Sequence, residues 1–253
     1  MQELVKNCSE ICVVVPTYNN ARFLQANIED ILQYNAHVIV VDDGSTDKTI
    51  EILKNFGEKI ISFSYKQNKG KGYALRCGFD IAEKLGFQYV ITMDSDGQHD
   101  AADLPFFYEK IKQYPNSVIV GSRILKQKNM PAGNTFANKF SNFWFVVQTG
   151  KRLPDTQSGF RLYPLGKMHG MRPLLRRYEA ELELLVRLTW RNIALLPIKI
   201  NVQYPAERIT HFRPFADFLR ISILNACLCI LAILYGYPKR LILLIIKRSE
   251  LKH

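Results

Sequence analysis

Strand-like and helix-like segments alternate through the first half of the chain, and this alternation limits the fold more than any other feature. Short apolar runs such as Ile11 to Pro16 are typical of buried parallel strands. Segments such as Ala21 to Tyr34 have apolar residues at helical spacing instead. Repeated strand–helix order predicts an α/β fold, a doubly wound, mostly parallel sheet with helices on both faces. The predicted strands are Ile11 to Pro16, His37 to Val41, Lys59 to Tyr65, a fourth strand ending in Asp94, and Ser117 to Gly121; the predicted helices are Ala21 to Tyr34, Thr49 to Phe56, one ending at Lys84, and Asp103 to Tyr114.

The loops that follow the predicted strands are polar and contain glycine. In open α/β sheets, ligands bind at the carboxyl ends of the strands. The sequence has no Gly-x-x-x-x-Gly-Lys-Ser/Thr phosphate loop and no Gly-x-Gly-x-x-Gly after the first strand, which disfavours an ATPase or a dinucleotide-binding enzyme. Chemistry is therefore expected from the polar residues of these loops, which are Tyr18, Asp43, Lys71, Asp94, Asp96 and Arg123.

Two carboxylates, Asp94 and Asp96, follow the fourth predicted strand. Residues i and i+2 of a strand point the same way, so both side chains are expected at its carboxyl end. Two like charges held together repel each other unless a cation lies between them, and oxygen ligands favour Mg²⁺ or Mn²⁺. The alternative is an ordinary solvated turn, but the position at the end of an apolar strand favours a metal site.

The formal net charge of +11 predicts an anionic partner: nucleic acid, anionic lipid or a phosphorylated substrate. The basic residues are spread out, with no arginine-rich arm and no zinc-finger spacing, so nucleic acid is disfavoured. The first ten residues carry charges and lack an apolar core, which argues against a secretory signal. We therefore expect the catalytic part on the cytoplasmic side, at the face of a membrane.

The second half of the chain contains two segments that suit a membrane surface. An aromatic-rich helix is predicted at about 134–149, either as a core helix or at a bilayer surface. The tail, 212–253, is the most apolar part, and Ile221 to Tyr235 falls short of the ~20 residues of a spanning helix. Since Gly236 to Arg240 interrupts it, we predict two short interfacial helices held on anionic headgroups. The alternative is a tail that packs on the preceding domain, 1–211, or on a second subunit of a homo-oligomer.

Several motifs then occur in a fixed order. They are Val15-Pro16-Thr17-Tyr18-Asn19, Val41-Asp42-Asp43-Gly44-Ser45, Asn68-Lys69-Gly70-Lys71-Gly72, Met93-Asp94-Ser95-Asp96-Gly97-Gln98, Gly121-Ser122-Arg123 and Asp155-Thr156-Gln157-Ser158-Gly159-Phe160-Arg161. The ordered set resembles the family 2 glycosyltransferases, most closely the dolichyl-phosphate mannose synthase branch, over about residues 11–211. The resemblance implies a GT-A fold and inverting transfer of a hexose from a nucleotide-diphosphate sugar, of the GDP-mannose or UDP-glucose type, to a lipid acceptor such as a polyprenyl phosphate.

The resemblance also implies roles for single residues. Pro16, Tyr18, Val41 and Asp43 would hold the nucleoside, and Asn20 stands where the family usually has glutamate. Arg208, with His211 in place of a frequent lysine, would close over the phosphates. The full nucleotide-sugar set is Pro16, Tyr18, Asn20, Val41, Asp43, Lys71, Asp94, Ser95, Asp96, Arg123, Arg208 and His211, and the Mg²⁺ or Mn²⁺ ligands are Asp94, Asp96 and Gln98.

Transfer of a sugar develops negative charge on the leaving diphosphate and positive charge at the anomeric carbon. A divalent ion and fixed cations offset the first charge, and a carboxylate on the far side of the sugar can offset the second or take a proton from the acceptor. Asp155 is the first candidate for that carboxylate and Glu181 the second. The alternatives are a helix or turn cap for Asp155 and a solvated helix face for Glu181.

The predicted acceptor region departs from the mannose synthases. Asn142 matches the family's asparagine on the interfacial helix, but Asn138 and Asn134 stand where those enzymes have a serine and an arginine for the acceptor phosphate. Asparagine supplies no charge. Lys139 or Arg161 is then the candidate cation, or else the acceptor is a lipid or glycan hydroxyl that needs a general base. The third reading is a catalytically idle nucleotide-sugar-binding module, which has no need of the whole residue set.

Overall fold

The structure, a computed structural model, describes residues 9–35, 37–123, 132–203, 214–239 and 241–242. Its first half confirms the predicted alternation, and two predicted helices are found with the same bounds. The elements are β1 (Ile11–Thr17), α1 (Ala21–Tyr34), β2 (Val38–Asp42), α2 (Thr49–Phe56), β3 (Ile61–Ser64), α3 (Lys71–Lys84), β4 (Tyr89–Thr92), α4 (Leu104–Gln113) and β5 (Val118–Arg123).

The second half adds the elements that complete one edge of the sheet and cover one face. Its predicted helix at about 134–149 is present. The elements are α5 (Ala132–Thr149), β6 (Arg161–Pro164), α6 (Leu165–Met168), α7 (Glu179–Trp190), β7 (Leu195–Ile200) and α8 (Pro214–Leu231), which continues through a π-helical turn, Ala232–Gly236.

Within the described residues, seven strands form one sheet in the order β3-β2-β1-β4-β6-β5-β7. All neighbouring pairs are parallel except those of β6, which runs antiparallel to β4 and β5. The predicted mostly parallel sheet is therefore confirmed. Strand direction depends on the path of the chain between elements, so the reversed β6 could not be inferred from its local sequence.

The central strand β1 is buried along its whole length, which explains its unbroken apolar run. Because side chains alternate across a strand, Val13 and Val15 face the core layer under α1 and α4, while Cys12 and Val14 face the opposite layer under α3. Two apolar layers thus hold the sheet rigidly, and the strand ends present their loops from a fixed frame.

Residues 214–239 of the tail form one helix, whereas the sequence predicted a break beginning at Gly236; the residues after 242 lie outside the described part of the chain. The helix runs without a break from Pro214 to Lys239 and so includes Gly236 to Lys239, where the interruption was expected. Pro238 has no N–H and its ring crowds the preceding turn, and the π-helical turn Ala232–Gly236 directly before it changes the hydrogen-bond pattern there. The 21 residues Leu219–Lys239 are long and apolar enough to cross a membrane, judged by length and composition alone.

One side of this helix packs on the domain. Leu228 and Ala232 are buried, and the amide of Gln148 donates to Asn225 Oδ1 at 2.8 Å. Gly236 lies so close to the indole of Trp190 that an added Cβ would be 2.5 Å from its Nε1. The other side is apolar and exposed; it includes Ile223, Ile230, Ile233 and Leu234. The helix is therefore docked on α5 and α7 with an apolar outer face.

Candidate active site

The site lies where the parallel strands end. The backbone N–H of Asp43 donates to the carbonyl of Thr17 at 2.8 Å, so the loops after β1 and β2 start side by side. Pro16 and Val41, both predicted nucleoside contacts, are neighbours in the β1–β2 register and are buried. The N–H of Met93 donates to Val14 at 3.1 Å, which brings the loop after β4 to the same edge.

Asp43 organises the loop that leads into α3. Its carboxylate accepts the backbone N–H groups of Lys69 at 2.7 Å and Gly70 at 2.8 Å, and the hydroxyl of Tyr65 at 2.6 Å. Burial raises the pKa of Asp43 above its usual value, against the lowering effect of these donors. Gly70 has φ +96°, and an added Cβ would lie 2.3 Å from the carbonyl oxygen of Arg176, so only glycine fits there.

The loop after β1 contacts both neighbouring loops. Asn19 donates its backbone N–H to Ser45 Oγ at 2.8 Å and accepts the N–H of Thr46 at 2.7 Å. Asn20 donates its amide to the carbonyl of Ser95 at 2.5 Å and to Ser95 Oγ at 3.0 Å. Since Tyr18 directly precedes these residues, the predicted nucleoside and diphosphate contacts meet in one place.

A single lysine joins three elements at the centre of the site. Lys71 Nζ, at the start of α3, lies 2.6 Å from Asp94 Oδ1 and 2.7 Å from Glu181 Oε2. Burial alone would raise the pKa of Asp94, but the ammonium of Lys71 outweighs it and holds this pKa below its usual value. Burial alone would lower the pKa of Lys71, and the two carboxylates raise it above its usual value. Lys71 and Asp94 are therefore both charged at neutral pH.

Asp96 has a different environment. Burial, and next the charge of Asp94, raise its pKa to about 6. Gln98 donates its backbone N–H to Asp96 Oδ1 at 3.1 Å and its amide to Oδ2 at 2.8 Å. Burial lowers the pKa of the adjacent His99 to about 4, and its Nδ1 has no hydrogen-bond partner among the described residues.

These residues fit a divalent cation. The mutual repulsion of Asp94 and Asp96 is the effect that raises the pKa of Asp96 after burial, and a bound cation removes it. The described residues contain no cluster of three histidine, cysteine or carboxylate side chains that could hold a metal. Two carboxylates and the amide of Gln98 suit Mg²⁺ or Mn²⁺, because such an ion takes one or two carboxylates and completes its shell with water and substrate phosphates.

Asp155 is engaged on every side. Its carboxylate accepts Arg123 Nε at 2.6 Å and Nη2 at 3.0 Å, and the amide of Asn138 at 2.5 Å. The backbone N–H groups of Gln157 and Ser158 donate to it at 3.0 and 3.2 Å. Burial alone would raise the pKa of Asp155, but the hydrogen bonds and charge of Arg123 hold it below its usual value. The side chain is a fully buried anion that fixes the guanidinium of Arg123.

The side chain of Arg161, the first residue of β6, fills the interior of the loop between α5 and β6. It is fully buried and donates to the carbonyl oxygens of Ser158 at 2.6 Å, Thr156 at 2.9 Å and Glu181 at 2.8 Å. The hypothesis that it binds an acceptor phosphate is therefore wrong, because its donors are used inside the protein. An added Cβ at Gly159 would lie 2.7 Å from Asp94 Oδ2, so this loop touches the Asp94 side chain directly.

The asparagines of α5 face the same loop. Asn142 donates to the carbonyl of Pro154 at 2.6 Å and to Asn138 Oδ1 at 2.7 Å, and it accepts the N–H of Thr156 at 3.0 Å. They therefore connect α5 to the loop, while Lys139 on the same helix is exposed. The side chain of Asn134 lies outside the description.

The structure thus brings most of the predicted residues to one edge. Arg208 and His211 lie outside the described residues. Sequence reasoning did not find the structural roles of Tyr65, Ser45 and Gly159. Gly159 lies inside a motif that was recognised, but no local signal identifies Tyr65, which follows β3 and reaches Asp43 across 22 positions. The residues that the structure collects here are Pro16, Tyr18, Asn20, Val41, Asp43, Lys71, Asp94, Ser95, Asp96, Gln98, Arg123, Asp155 and Glu181.

Known proteins share both the sequence pattern and the fold. Residues 12–164 match the family profile described as "Glycosyl transferase family 2". A UDP-N-acetylglucosamine–dolichyl-phosphate N-acetylglucosaminyltransferase of Methanococcus voltae is 30% identical over 240 residues, covering 85% of this chain and 96% of that protein. The human dolichyl-phosphate beta-glucosyltransferase is 26% identical over 226 residues, covering 76% of this chain and 67% of that protein.

Among solved structures, the glucosyl-3-phosphoglycerate synthase of Mycobacterium tuberculosis, crystallised with Mn²⁺, UDP-glucose and phosphoglyceric acid, superposes with a TM-score of 0.62 at 18% identity. The match covers 89% of this chain and 79% of that chain. The mannosyl-3-phosphoglycerate synthase of Rubrobacter xylanophilus gives a TM-score of 0.61 at 17% identity, covering 96% and 75%. These neighbours are GT-A glycosyltransferases and show that the chain has this fold.

Proposed function

The chain belongs to glycosyl transferase family 2, and from this membership and the geometry of the site we propose that it transfers a sugar from a UDP-sugar to a polyprenyl phosphate at a membrane surface. The observation that carries the proposal is the position of Asp94 and Asp96. They follow β4 at the carboxyl edge of the sheet, beside Lys71 and within the same cleft as the Asn20–Ser95 contact.

The donor is proposed from the named relatives. The M. voltae protein is named for UDP-N-acetylglucosamine and dolichyl phosphate, and the human protein for glucosyl transfer to dolichyl phosphate. We therefore expect UDP-N-acetylglucosamine or UDP-glucose to be the substrate, and GDP-mannose to be a poor one. Pro16, Tyr18, Val41 and Asp43 border the part of the cleft where the nucleoside would bind.

Asp94, Asp96 and Gln98 would hold Mg²⁺ or Mn²⁺. When bound, the ion neutralises the charge that develops on the leaving diphosphate. Lys71 keeps Asp94 ionised and in place, and Glu181 in turn holds Lys71, so Glu181 acts on the reaction through Lys71. Ser95 is oriented by Asn20 between the two carboxylates.

A phosphate acceptor explains how the site can work without a general base. A phosphate monoester is largely ionised at neutral pH, since its second pKa is about 6. Its oxygen can attack the anomeric carbon directly while the bond to the diphosphate oxygen breaks on the opposite side, with inversion. Asp155 then serves to position Arg123, whose guanidinium stabilises negative charge on the substrate.

We place the membrane against the outer face of α8. The inner face is packed on α5 and α7, whereas Ile233 and Leu234 are 67% and 72% exposed. A helix held along the protein with an apolar outer face suits the bilayer interface better than a crossing of the bilayer. The tail, 212–253, would in this way keep the sugar-transfer site close to lipid acceptors at the cytoplasmic face.

The activity test uses purified protein with a panel of UDP-glucose, UDP-N-acetylglucosamine and GDP-mannose, each with Mg²⁺ or Mn²⁺ and a short polyprenyl phosphate. We expect free UDP and a polyprenyl-phosphate sugar by mass spectrometry, with no product from the matching polyprenol. Product from the polyprenol would favour the hydroxyl-acceptor enzyme instead. Nucleotide-sugar binding without product from any acceptor would favour an idle binding module.

The membrane test replaces the exposed apolar side chains. The pair Ile233→Glu and Leu234→Glu should lower cosedimentation with phosphatidylcholine vesicles at least about tenfold, because charges disfavour the acyl region. The control pair is Leu85→Glu and Phe106→Glu, at residues that are 52% and 50% exposed and lie outside the tail. Equal loss in both pairs would overturn the assignment of α8 as the membrane face.

A further inference from the structure

A basic cavity of about 300 Å³ lies near the amino ends of two parallel strands, at the opposite end of the strands from the active site. Asn116 precedes the first residue of β5 by two positions, and Asn192 precedes that of β7 by three. The cavity is therefore at the amino edge of the parallel strands, away from the carboxyl edge that holds Asp94. Four basic and two amide side chains line it: Lys167, His169, Arg191, Lys239, Asn116 and Asn192.

Among the residues that the structure describes, no acidic side chain balances the charge of this cavity. The described residues that line it include no carboxylate, and none of Lys167, Arg191 and Lys239 forms an ion pair with another described residue. Several cations held around one concavity repel each other and attract an anion with more than one acceptor oxygen. The neighbouring asparagine amides can donate further hydrogen bonds to such oxygens. This set of donors suits a phosphate group.

The position of Lys239 identifies the source of the phosphate. Lys239 is the last residue of the unbroken described stretch 214–239. It lies five residues after Leu234, which is 72% exposed, and shortly before the exposed Leu241 and Ile242. A phosphate bound at Lys239 and Arg191 would thus lie next to an apolar helix face. An anionic lipid combines a phosphate group and apolar chains in one molecule, whereas free phosphate has no group that would contact the apolar face.

We propose that this cavity binds the phosphate of an anionic membrane lipid headgroup, whose acyl chains lie along the outer face of α8. This inference rests on the proposed membrane attachment. It adds a second lipid contact, separate from the acceptor, that orients the domain on anionic membranes. Lys167 and Arg191 are the anchors, because they come from different elements and converge on one cavity.

The test measures binding to two kinds of vesicle. One contains phosphatidylcholine alone, and the other contains phosphatidylcholine with about 30% phosphatidylglycerol, an anionic lipid that gives the surface a negative potential. The wild type should bind the anionic vesicles more tightly. The double variant Lys167→Gln and Arg191→Gln should bind the anionic vesicles roughly twentyfold more weakly than the wild type. The reason is that each basic residue near an anionic surface contributes about fivefold to the affinity. The variant's binding to the neutral vesicles should stay unchanged.

The matched control removes two charges elsewhere. Lys54 and Lys59 are exposed and lie between β2 and β3, at the far side of the sheet from β7, so Lys54→Gln with Lys59→Gln should lose less than about threefold. Equal loss in the two double variants would overturn the cavity as a specific site. If the wild type bound neither kind of vesicle, the proposed membrane attachment itself would be wrong. A further outcome is that millimolar inorganic phosphate stabilises the wild type against heat but not the cavity variant, while the two proteins bind vesicles equally. That result would show a site for free phosphate and overturn the proposal that a lipid binds there.

Discussion

The two halves of the candidate active site are built in different ways. In the first half, the loops after β1, β2, β3 and β4 hold each other through hydrogen bonds that mostly involve backbone, such as the N–H of Gly70 to the carboxylate of Asp43. In the second half, buried charges do the same work: Arg161 inside its loop and Asp155 on Arg123. The first half thus consists of strand ends whose loops face a ligand. The second half is a network of buried charged groups, and the whole network must be intact to hold groups such as Arg123 in position.

This difference separates binding from architecture. Substitutions in the first half should affect ligand and metal binding while the protein stays folded. Substitutions in the second half should cost stability, because removal of one member leaves the others buried and unpaired. Lys71 connects the halves, since its ammonium contacts Asp94 in one and Glu181 in the other.

The largest effect is expected at Asp96, in the first half. Asp96→Ala should lower kcat/KM at least about a thousandfold, because the substitution removes a proposed metal ligand worth several kcal/mol in the transition state. The free energy of unfolding should change little. Asp30→Ala, at an exposed residue on α1, is the control and should keep full activity. Near-normal turnover of Asp96→Ala would remove the metal assignment.

Arg161 should give the largest stability effect and belongs to the second half. Arg161→Met leaves three buried carbonyl oxygens without their donor, so we expect the free energy of unfolding in urea to fall by about 3–5 kcal/mol. The exposed Arg152→Met should change it by less than about 0.5 kcal/mol. A loss below about 1 kcal/mol at Arg161 would erase the contrast between the two halves.

Asp155 decides whether the second half positions groups or also moves a proton. Asp155→Asn should lower kcat/KM by roughly tenfold to a hundredfold, since Arg123 loses its charged partner. The pKa of Asp155 lies below its usual value, so the wild-type side chain is ionised throughout pH 6 to 9 and the substitution should not alter the shape of the pH profile there. Asn138→Leu removes another contact of the same carboxylate and should act in the same direction but less strongly. An acidic limb that the wild type shows and Asp155→Asn alone lacks would identify a general base.

The smallest effect tests whether α8 is part of the folded domain. Gly236→Ala should destabilise the protein by about 1 kcal/mol, because the added methyl meets the indole of Trp190. Gly166→Ala in α6 is the control: nothing lies within 4 Å of its added Cβ, so helix propensity should make it neutral or stabilising by up to about 1 kcal/mol. A stabilising Gly236→Ala would mean that α8 is not held against α7.

The family and the GT-A fold were both predicted from the sequence and are confirmed by the family profile and the structural neighbours. The physical reason is that strand and helix periodicities are local, and the carboxyl ends of parallel strands must share an edge. The roles of the single site residues stay predictions. Asp94 and Asp96 could be identified as candidates because their spacing and the apolar strand before them lie within one short segment.

Only the tertiary structure decided which charges are neutralised and which faces are free. The partners Lys71 and Glu181 are 110 positions apart, and nothing local to α7 indicates that Glu181 is buried rather than solvated. The same holds for Arg161, which the sequence could offer equally to a substrate or to its own loop. For α8, composition shows only that the helix is apolar; the packing of Gly236 on Trp190 shows which side is covered by the domain and which is left exposed. Long-range contacts determine these outcomes because the free energy of a buried charge or an exposed apolar face depends on its partners, which local sequence does not specify.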